Sequence, residues 1–335
     1  MARRGFLTAG CWCVDRNITV PYWPGEDANV TVVALDRAGG GPGCNLAVDI
    51  RKLDPTMPVA TTGLVGTDEA GDFLKALAEA NGLDHRGLVQ SAEAPTMVTD
   101  AYMSQASGRR THVLFAGSND TVAPAHLRVE GSTARIFHIG LPGIHAVMDA
   151  PCGDHANGWV EVLARARAEG LMTNLELVTI APERIRALVR PCLPQLSLLV
   201  VNDFEIGALA DRVTVRGGVT DPAACMAAAE EVLAMGTMQV VVVHYVTGAA
   251  LVARDGARIF KPSVLVPEGA VRGVNGAGDA FAAGFLYGVH EGWGHDACLT
   301  LAQATAAACI RQPGTYDGVM PVADCLALAE EWGWR

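Results

Sequence analysis

The sequence predicts an α/β fold: a doubly wound, mainly parallel sheet flanked by helices, with a small β lid set apart from it. Three observations predict this. Short β-branched runs, apolar at nearly every position, recur along the 335 residues. Alanine-rich stretches of helical period separate them, and that alternation belongs to parallel sheets covered on both faces. Two segments, about 15–38 and 96–118, alternate polar and apolar residues instead. That is the pattern of half-exposed antiparallel strands, expected to pair outside the main sheet.

The elements follow in order. "MARRGFLTAGCWCVD" opens with two arginines and an apolar stretch. Asp15 follows at once without a clear small-residue cleavage pattern, so the stretch reads as a first buried strand rather than a leader. "PVATTGLVG" (58–66) reads as a strand and "EAGDFLKALAEANG" (69–82) as a helix stopped at Gly82. "ARIFHIG" (134–140) is a strand and "GWVEVLARARAEG" (158–170) a helix. "LMTNLELV" (171–178), "LSLLVVN" (196–202) and "MQVVVVHYV" (238–246) are buried strands, the last two separated by the helix "DPAACMAAAEEVLAMG" (221–236). Helices at 295–310 and 322–333 follow. There is no linker, low-complexity tract or internal repeat, so 1–335 reads as one domain.

Composition excludes several classes. The formal net charge is -11, and no dense basic block offers phosphates a landing site, so a nucleic-acid partner is not expected. The longest apolar run, "VVVVHYVTGAALV", contains His244 and is too short to span a bilayer. His244 itself, on a buried strand, reads as a core histidine. The nine cysteines are scattered over a long chain. Cys11 and Cys13 lack a second close pair to complete a zinc site, and reduced thiols in a cytoplasmic core are expected.

"GVNGAGDAFAAGF" (273–285) carries the chemistry. Gly276, Ala277 and Gly278 let a ligand approach the backbone closely just before a helix, where successive N–H groups and the helix dipole form an anion hole. Asp279 falls in the first helical turn. An anion hole beside a carboxylate is equipment for phosphoryl transfer, in which the carboxylate accepts an alcohol proton. The same residues also suit a tight strand-to-helix turn with an Asp cap.

Further segments add weight. "AGGGPGCNLAVDIRKLDP" (38–55) holds a glycine cluster, Asn45, and a helix with Leu46, Ile50 and Leu53 on one side. Gly63, Gly66, Asp68 and Gly71 form a G-x-x-G-x-D-x-x-G segment, and Asn202 and Glu205 an N-x-x-E motif. Together with Gly276–Asp279, the chain resembles the ribokinase-like (PfkB) family of carbohydrate and nucleoside kinases over most of its length. The resemblance implies an ATP-dependent kinase that phosphorylates a hydroxymethyl group of a sugar, or of a nucleoside. Asp279 would be the base, with Gly276, Ala277 and Gly278 as anion hole. Asp15, Gly40, Gly41 and Asn45 would bind substrate, and Arg110 and Asn119 on the lid could touch it. Asn202 and Glu205 would organise Mg2+ through water, and Gly248 and Asn275 would sit by the nucleotide. The lid would cover the acceptor and could mediate a homodimer through an apolar outer face.

The sequence also departs from the family. Val274 offers no side-chain oxygen where a monovalent cation is often bound, which puts potassium activation in doubt. The T-x-G-x-x-G turn that contacts nucleotide phosphates is missing, and only Gly248 stands in that shortened loop. Pro42 replaces a lysine carried by many sugar kinases. These losses keep a second class open, a degenerate kinase fold serving as a small-molecule sensor. Intact Asp279, Asn202 and Glu205 oppose it.

Overall fold

The computed structural model describes residues 3–335, apart from the side chain of Arg110. Strand β1 (Phe6–Gly10) leads through Cys11 and Trp12 into β2 (Cys13–Val20), and β3 (Ala34–Gly40) runs into α1 (Pro42–Leu53). Next come β4 (Val59–Gly66), α2 (Glu69–Ala80), β5 (Asp84–Ser91), β6 (Val98–Ser104) and β7 (Arg110–Phe115). The middle of the chain holds β8 (Ile136–Gly140), α3 (Ala146–Asp149), α4 (Gly158–Ala168), β9 (Met172–Leu175), α5 (Pro182–Val189), β10 (Leu198–Asn202) and α6 (Asp203–Ala210). A hairpin of β11 (Val215–Arg216) and β12 (Val219–Thr220) precedes α7 (Pro222–Met235), β13 (Val240–Tyr245), β14 (Gly248–Ala253) and β15 (Arg258–Pro262). Then follow α8 (Ala277–His290), α9 (His295–Cys309) and α10 (Val322–Trp332).

The central sheet has nine strands in the order β15-β14-β13-β10-β9-β8-β1-β4-β5. From β13 to β5 every neighbouring pair is parallel, and β14 and β15 add antiparallel to one edge. Successive residues of the central strands enter different cores. On β10, Leu198 and Val200 pack with α8 and α9, while Leu199 and Val201 pack with α4 to α7. Both faces are therefore covered, which is why these strands read as unbroken apolar runs. The expected strand at 171–178 is shorter than its apolar run. It ends at Leu175, and half-buried Glu176 after it donates its N–H to the Ile139 carbonyl of β8 at 2.8 Å.

The two alternating segments form a separate four-stranded sheet in the order β3-β2-β6-β7. Its strands begin at Cys13 and end at Phe115, and residues 21–33 between β2 and β3 carry no strand. The outer pairs are antiparallel as expected, but β2 and β6 pair parallel, from Val14 opposite Val98 to Val20 opposite Ser104. The chain between them passes through α1 to β5 of the main body, and such a long crossover permits parallel pairing. Period-two alternation reports which face is buried, not strand direction.

Asp68 ties this small sheet to the body. Its side chain caps α2 by accepting from Gly71 N at 2.8 Å. It also accepts from Thr96 N at 2.8 Å and Thr96 Oγ1 at 2.5 Å, just before β6. Gly66 and Gly71 leave room for the knot, since a Cβ at either would press on the Thr96 or Gly66 backbone. Burial pushes the Asp68 carboxyl up, but the Thr96 and Gly71 hydrogen bonds outweigh it and hold the group below its usual range. Asp68→Ala should cost about 2 kcal/mol of stability at neutral pH, from the lost cap and buried hydrogen bonds. A lowered folded pKa gives stability that is complete above the unfolded value near ~3.9 and is lost as pH falls through the folded value. Denaturant titration should therefore show the gap between variant and wild type closing in acid. A gap unchanged with pH would remove the carboxylate from this role.

Candidate active site

The C-terminal ends of β10 and β13 open onto one cleft, at the kind of place where parallel α/β sheets leave room for ligands. Helix α8 points its N-terminus into it. Gly276 precedes the helix with φ 72°, a left-handed conformation that glycine adopts without strain. A Cβ there would run into the Thr315 carbonyl. No side chain caps α8, and Ala277 and Gly278 line the cleft. The Ala277 N–H reaches the Val274 carbonyl at 3.5 Å, while the Gly278 and Asp279 N–H groups, which no helical carbonyl can satisfy, are left for a ligand. Gly278 itself has ordinary helical geometry. A Cβ there would stand 3.3 Å from His244 Cε1, so glycine serves close packing at this position.

Asp279 lies in the first turn of α8. Its Oδ1 is shut off from solvent and receives no N–H or neutral hydroxyl donor, and its Oδ2 accepts from Asn45 Nδ2 at 3.3 Å. Burial, and then the charge of Glu176 beside it, raise the Asp279 carboxyl well above its usual range. Asn45 is held by α1. That helix starts at Gly41 with φ 85°, where any side chain would meet Cys11, and continues through Pro42 at its first position. Gly40 lies directly under the Asp15 carboxylate of β2, and a Cβ there would collide with it. Asp15 thus meets Gly40, and Asn45 meets Asp279, beside the start of α1 at Gly41.

Beyond α8 the cleft widens into a cavity of about 470 Å³. Its walls are apolar at Val264, Val266, Val274 and Ile310, with Asn202, Asp203 and Gln303 as polar members. His244 lines this cavity next to Gly278 and packs on Phe281 with ring centroids 5.1 Å apart. It is therefore a cleft residue and not the core histidine expected from its strand. Burial lowers its pKa to about 4, so the ring is neutral at pH 7.

Asn202 and Glu205 form a reciprocal capping box on α6. Asn202 Oδ1 accepts from Glu205 N at 2.8 Å, and Glu205 Oε2 accepts from Asn202 N at 3.1 Å. The second Glu205 oxygen accepts from Thr179 Oγ1 at 3.3 Å. Burial raises the Glu205 carboxyl to about 7. With these oxygens committed, the pair offers no direct ligand set, and no group of three metal-ligating side chains occurs among the described residues. The lone pairs that remain suit a metal-bound water.

Other expected site residues fall elsewhere. Gly248 is buried at the start of β14, pressed on the Lys261 carbonyl. The missing turn is replaced by the two-residue hairpin of Val246 and Thr247, with Tyr245 paired to Gly248. Asn275 is half-buried before Gly276, and its carbonyl accepts from Cys309 Sγ at 3.5 Å. Val274 is 68% exposed at the cavity rim. Asn119 is fully buried in a turn after β7, and neither atom of its amide has a partner. Arg110 opens β7 opposite Met103, and its side chain lies outside the described residues.

The sequence reading missed Asp49, His138, Asn174 and Glu176. Asp49 is fully buried one turn after Asn45, with both carboxylate oxygens unpartnered. Its signal was a charge on the apolar side of a helix that also carries Leu46, Ile50 and Leu53. Glu176 was legible as a carboxylate inside an otherwise apolar run.

A sheltered carboxylate beside an uncapped helix N-terminus can take a proton from a hydroxyl while the helix holds an anionic group. The chain belongs to the pfkB family of carbohydrate kinases, whose model matches residues 11–323. It is 28% identical over 332 residues to an acarbose 7(IV)-phosphotransferase from an Actinoplanes species, covering 96% of this chain and 97% of that one. It is 24% identical over 289 residues to adenosine kinase of Schizosaccharomyces pombe, with 83% and 81% coverage. The structure of Arabidopsis thaliana ribokinase complexed with ribose and ATP superimposes with a TM-score of 0.77, at 21% identity and with 98% and 99% of the two chains covered.

The geometry at the head of α8 separates its two glycines. Gly276→Ala forces a left-handed alanine into the Thr315 carbonyl and should cost more than the ~1 kcal/mol typical of a left-handed conformation alone. Gly278→Ala has only to displace an imidazole edge by a few tenths of an ångström. Thermal unfolding should therefore rank Gly276→Ala as clearly the more destabilising. Equal melting temperatures would contradict the turn geometry described here.

Proposed function

We propose that the protein transfers the γ-phosphoryl group of ATP to a hydroxymethyl group of a sugar, with Asp279 as general base. The observation that carries this reading is the placement of Asp279 in the first turn of α8, whose N-terminus has no side-chain cap and whose Ala277 and Gly278 line the cavity. The cavity beyond α8 has the size and apolar walls of a ligand site, and it fits a nucleotide base with its phosphates directed at residues 276–278. The acceptor would lie on the other side, against Asp15, Gly40, Gly41 and Asn45, with the small sheet as its lid. Asp279 takes the hydroxyl proton as the acceptor oxygen bonds to phosphorus, and the N–H groups of α8 stabilise the charge on the transferring group. Magnesium, when bound to the triphosphate, would supply charge neutralisation. Asn202 and Glu205 would meet it through water.

Carbohydrate is favoured over nucleoside as the acceptor. Tyr22, Trp23 and Phe115, the residues available to form an aromatic slot, are 52, 51 and 55% exposed. They do not close against a planar base. The sensor reading has no use for a base sheltered from water beside a phosphate-sized anion site.

A panel of sugars and nucleosides with magnesium-ATP tests the reading. Asp279→Asn should lose turnover on the verified acceptor by roughly 10²-fold or more, with little change in acceptor affinity, because the amide keeps the shape and cannot accept the proton. Near-normal turnover in that variant would reduce the carboxylate to a helix residue and end this mechanism.

The small sheet also supports a proposed homodimer. Leu35 and Val113 lie on one face of it, 62 and 53% exposed, beside the Arg16–Asp100 ion pair, whereas Leu114 points to the opposite face with Asp15. An open sheet with apolar residues on its free face gains by burying them against a second copy. Sedimentation should find two chains per particle, and a strict monomer at high concentration would overturn the proposal.

A further inference from the structure

Behind Asp279 lies a run of buried polar groups that the proposed mechanism leaves unused. Asn174 Nδ2 is 3.0 Å from His138 Nδ1. An amide nitrogen can only donate, so Nδ1 accepts and the imidazole proton sits on Nε2. That Nε2 lies 3.0 Å from Glu176 Oε2, a close contact whose angle falls outside hydrogen-bond geometry. Glu176 in turn is within hydrogen-bonding reach of Asp279, whose far side accepts from Asn45. Gly140 keeps the flank of Glu176 clear, since a Cβ there would stand 3.1 Å from that of Glu176. The run crosses from β8 and the end of β9 to α8 and α1, and it terminates on the base.

Two carboxylates cannot face each other unprotonated in so dry a place. His138 is completely buried and neutral, with its pKa lowered to about 4 by burial. It can donate one hydrogen bond but brings no positive charge. The other groups around the pair do not neutralise it either. Glu205 of α6 adds negative charge near Glu176, and Asp49 of α1 adds to it near Asp279. Lys52 acts on Asp49, and the nearby thiols Cys44 and Cys309 are held protonated, chiefly by burial.

We propose that Glu176 is a positioning residue of the acceptor site, one that shares a proton with Asp279 while His138 and Asn174 fix its orientation. The inference rests on the kinase reading and assigns a task to a residue that reading does not use. Before transfer the pair carries one proton. With acceptor bound, that proton resides on Glu176 and leaves Asp279 ionised against the hydroxyl. The hydroxyl proton then moves to Asp279 as the new O–P bond forms. The bond from phosphorus to the bridging oxygen breaks, and its electron pair leaves with ADP. Glu176, with 20% of its side chain exposed, returns the extra proton to solvent. Burial raises Glu176 to about 7, which makes the exchange accessible near neutrality.

Two measurements on the full-length protein test this. The first is the pH profile of kcat/KM for wild type and Glu176→Gln. The glutamine keeps the size and, like protonated Glu176, is neutral, but it cannot ionise. In wild type, loss of the shared proton puts two negative charges on the pair and gives the profile an alkaline limb. That limb should vanish or move up by about one unit or more in the variant, with the acid limb not moved to lower pH and KM for ATP unchanged. Glu176→Ala should in addition lower kcat by roughly 10- to 10²-fold, because the base is no longer held in place. The second measurement needs no turnover. Carboxyl 13C resonances of labelled protein should show Asp279 and Glu176 titrating as a coupled pair in wild type, and Asp279 titrating alone in Glu176→Gln. Superimposable pH profiles, or independent titration of the two carboxyls in wild type, would overturn the proposal. Coupled titration in a protein that phosphorylates no acceptor would leave the pair standing and defeat the kinase reading instead.

Discussion

On the proposed mechanism, helix α8 has to do two things at one end. First-turn N–H groups must stay uncovered to hold an anion, and its first-turn carboxylate must stay dry enough to be a base. Polar side chains near a helix N-terminus ordinarily cap it, and a capping carboxylate would fill its own anion site. Here the chain reaches α8 through left-handed Gly276, against the Thr315 carbonyl, and the cap position carries no side chain. Asp279 is turned instead toward Asn45 and Glu176. The surroundings follow from that choice. The backbone of α1 is threaded past Cys11 by Gly41 so that Asn45 reaches the carboxylate, and the neutral imidazole of His244 closes against Gly278.

This end of the sheet shows why motif glycines are not interchangeable. Gly40 makes room for the Asp15 carboxylate, while Gly66 and Gly71 make room for the knot at Asp68 that joins the small sheet to the body. Motif carboxylates likewise differ. Asp68 is saturated with hydrogen bonds, which hold it ionised, whereas Asp279 and Asp49 are short of them and burial pushes both up. Only the undersatisfied kind is poised to exchange a proton, and such groups concentrate where chemistry is done.

Much of this was readable in the sequence. Apolar strands and alanine-rich helices gave the doubly covered sheet, because period and burial are local properties of a segment. The Gly-Ala-Gly-Asp turn was legible because small residues run into a carboxylate at a helix start, whereas Asn45 and Asp15 were singled out through the resemblance to the kinase family. Other features were not, for identifiable reasons. The parallel pairing of β2 and β6 depends on a crossover through the main body, which alternation does not report. His244 looked like core because its strand is core, and only the shortness of the following hairpin leaves its ring at the cavity wall. Asn202 and Glu205 carry a motif whose oxygens the structure spends on capping α6. Glu176 acquires meaning only from His138 and Asp279, which lie 38 residues before it and 103 after it in the chain.

The central claim is that the phosphates of the donor bind at the open N-terminus of α8 with Asp279 facing the acceptor. The most direct measurement is a crystal structure with a non-hydrolysable ATP analogue and the acceptor identified by the panel. The account predicts the terminal phosphate within hydrogen-bonding distance of the backbone N–H groups of residues 278 and 279, and the reacting hydroxyl between that phosphate and the Asp279 carboxylate. A triphosphate bound away from α8, or an acceptor hydroxyl out of reach of Asp279, would contradict it.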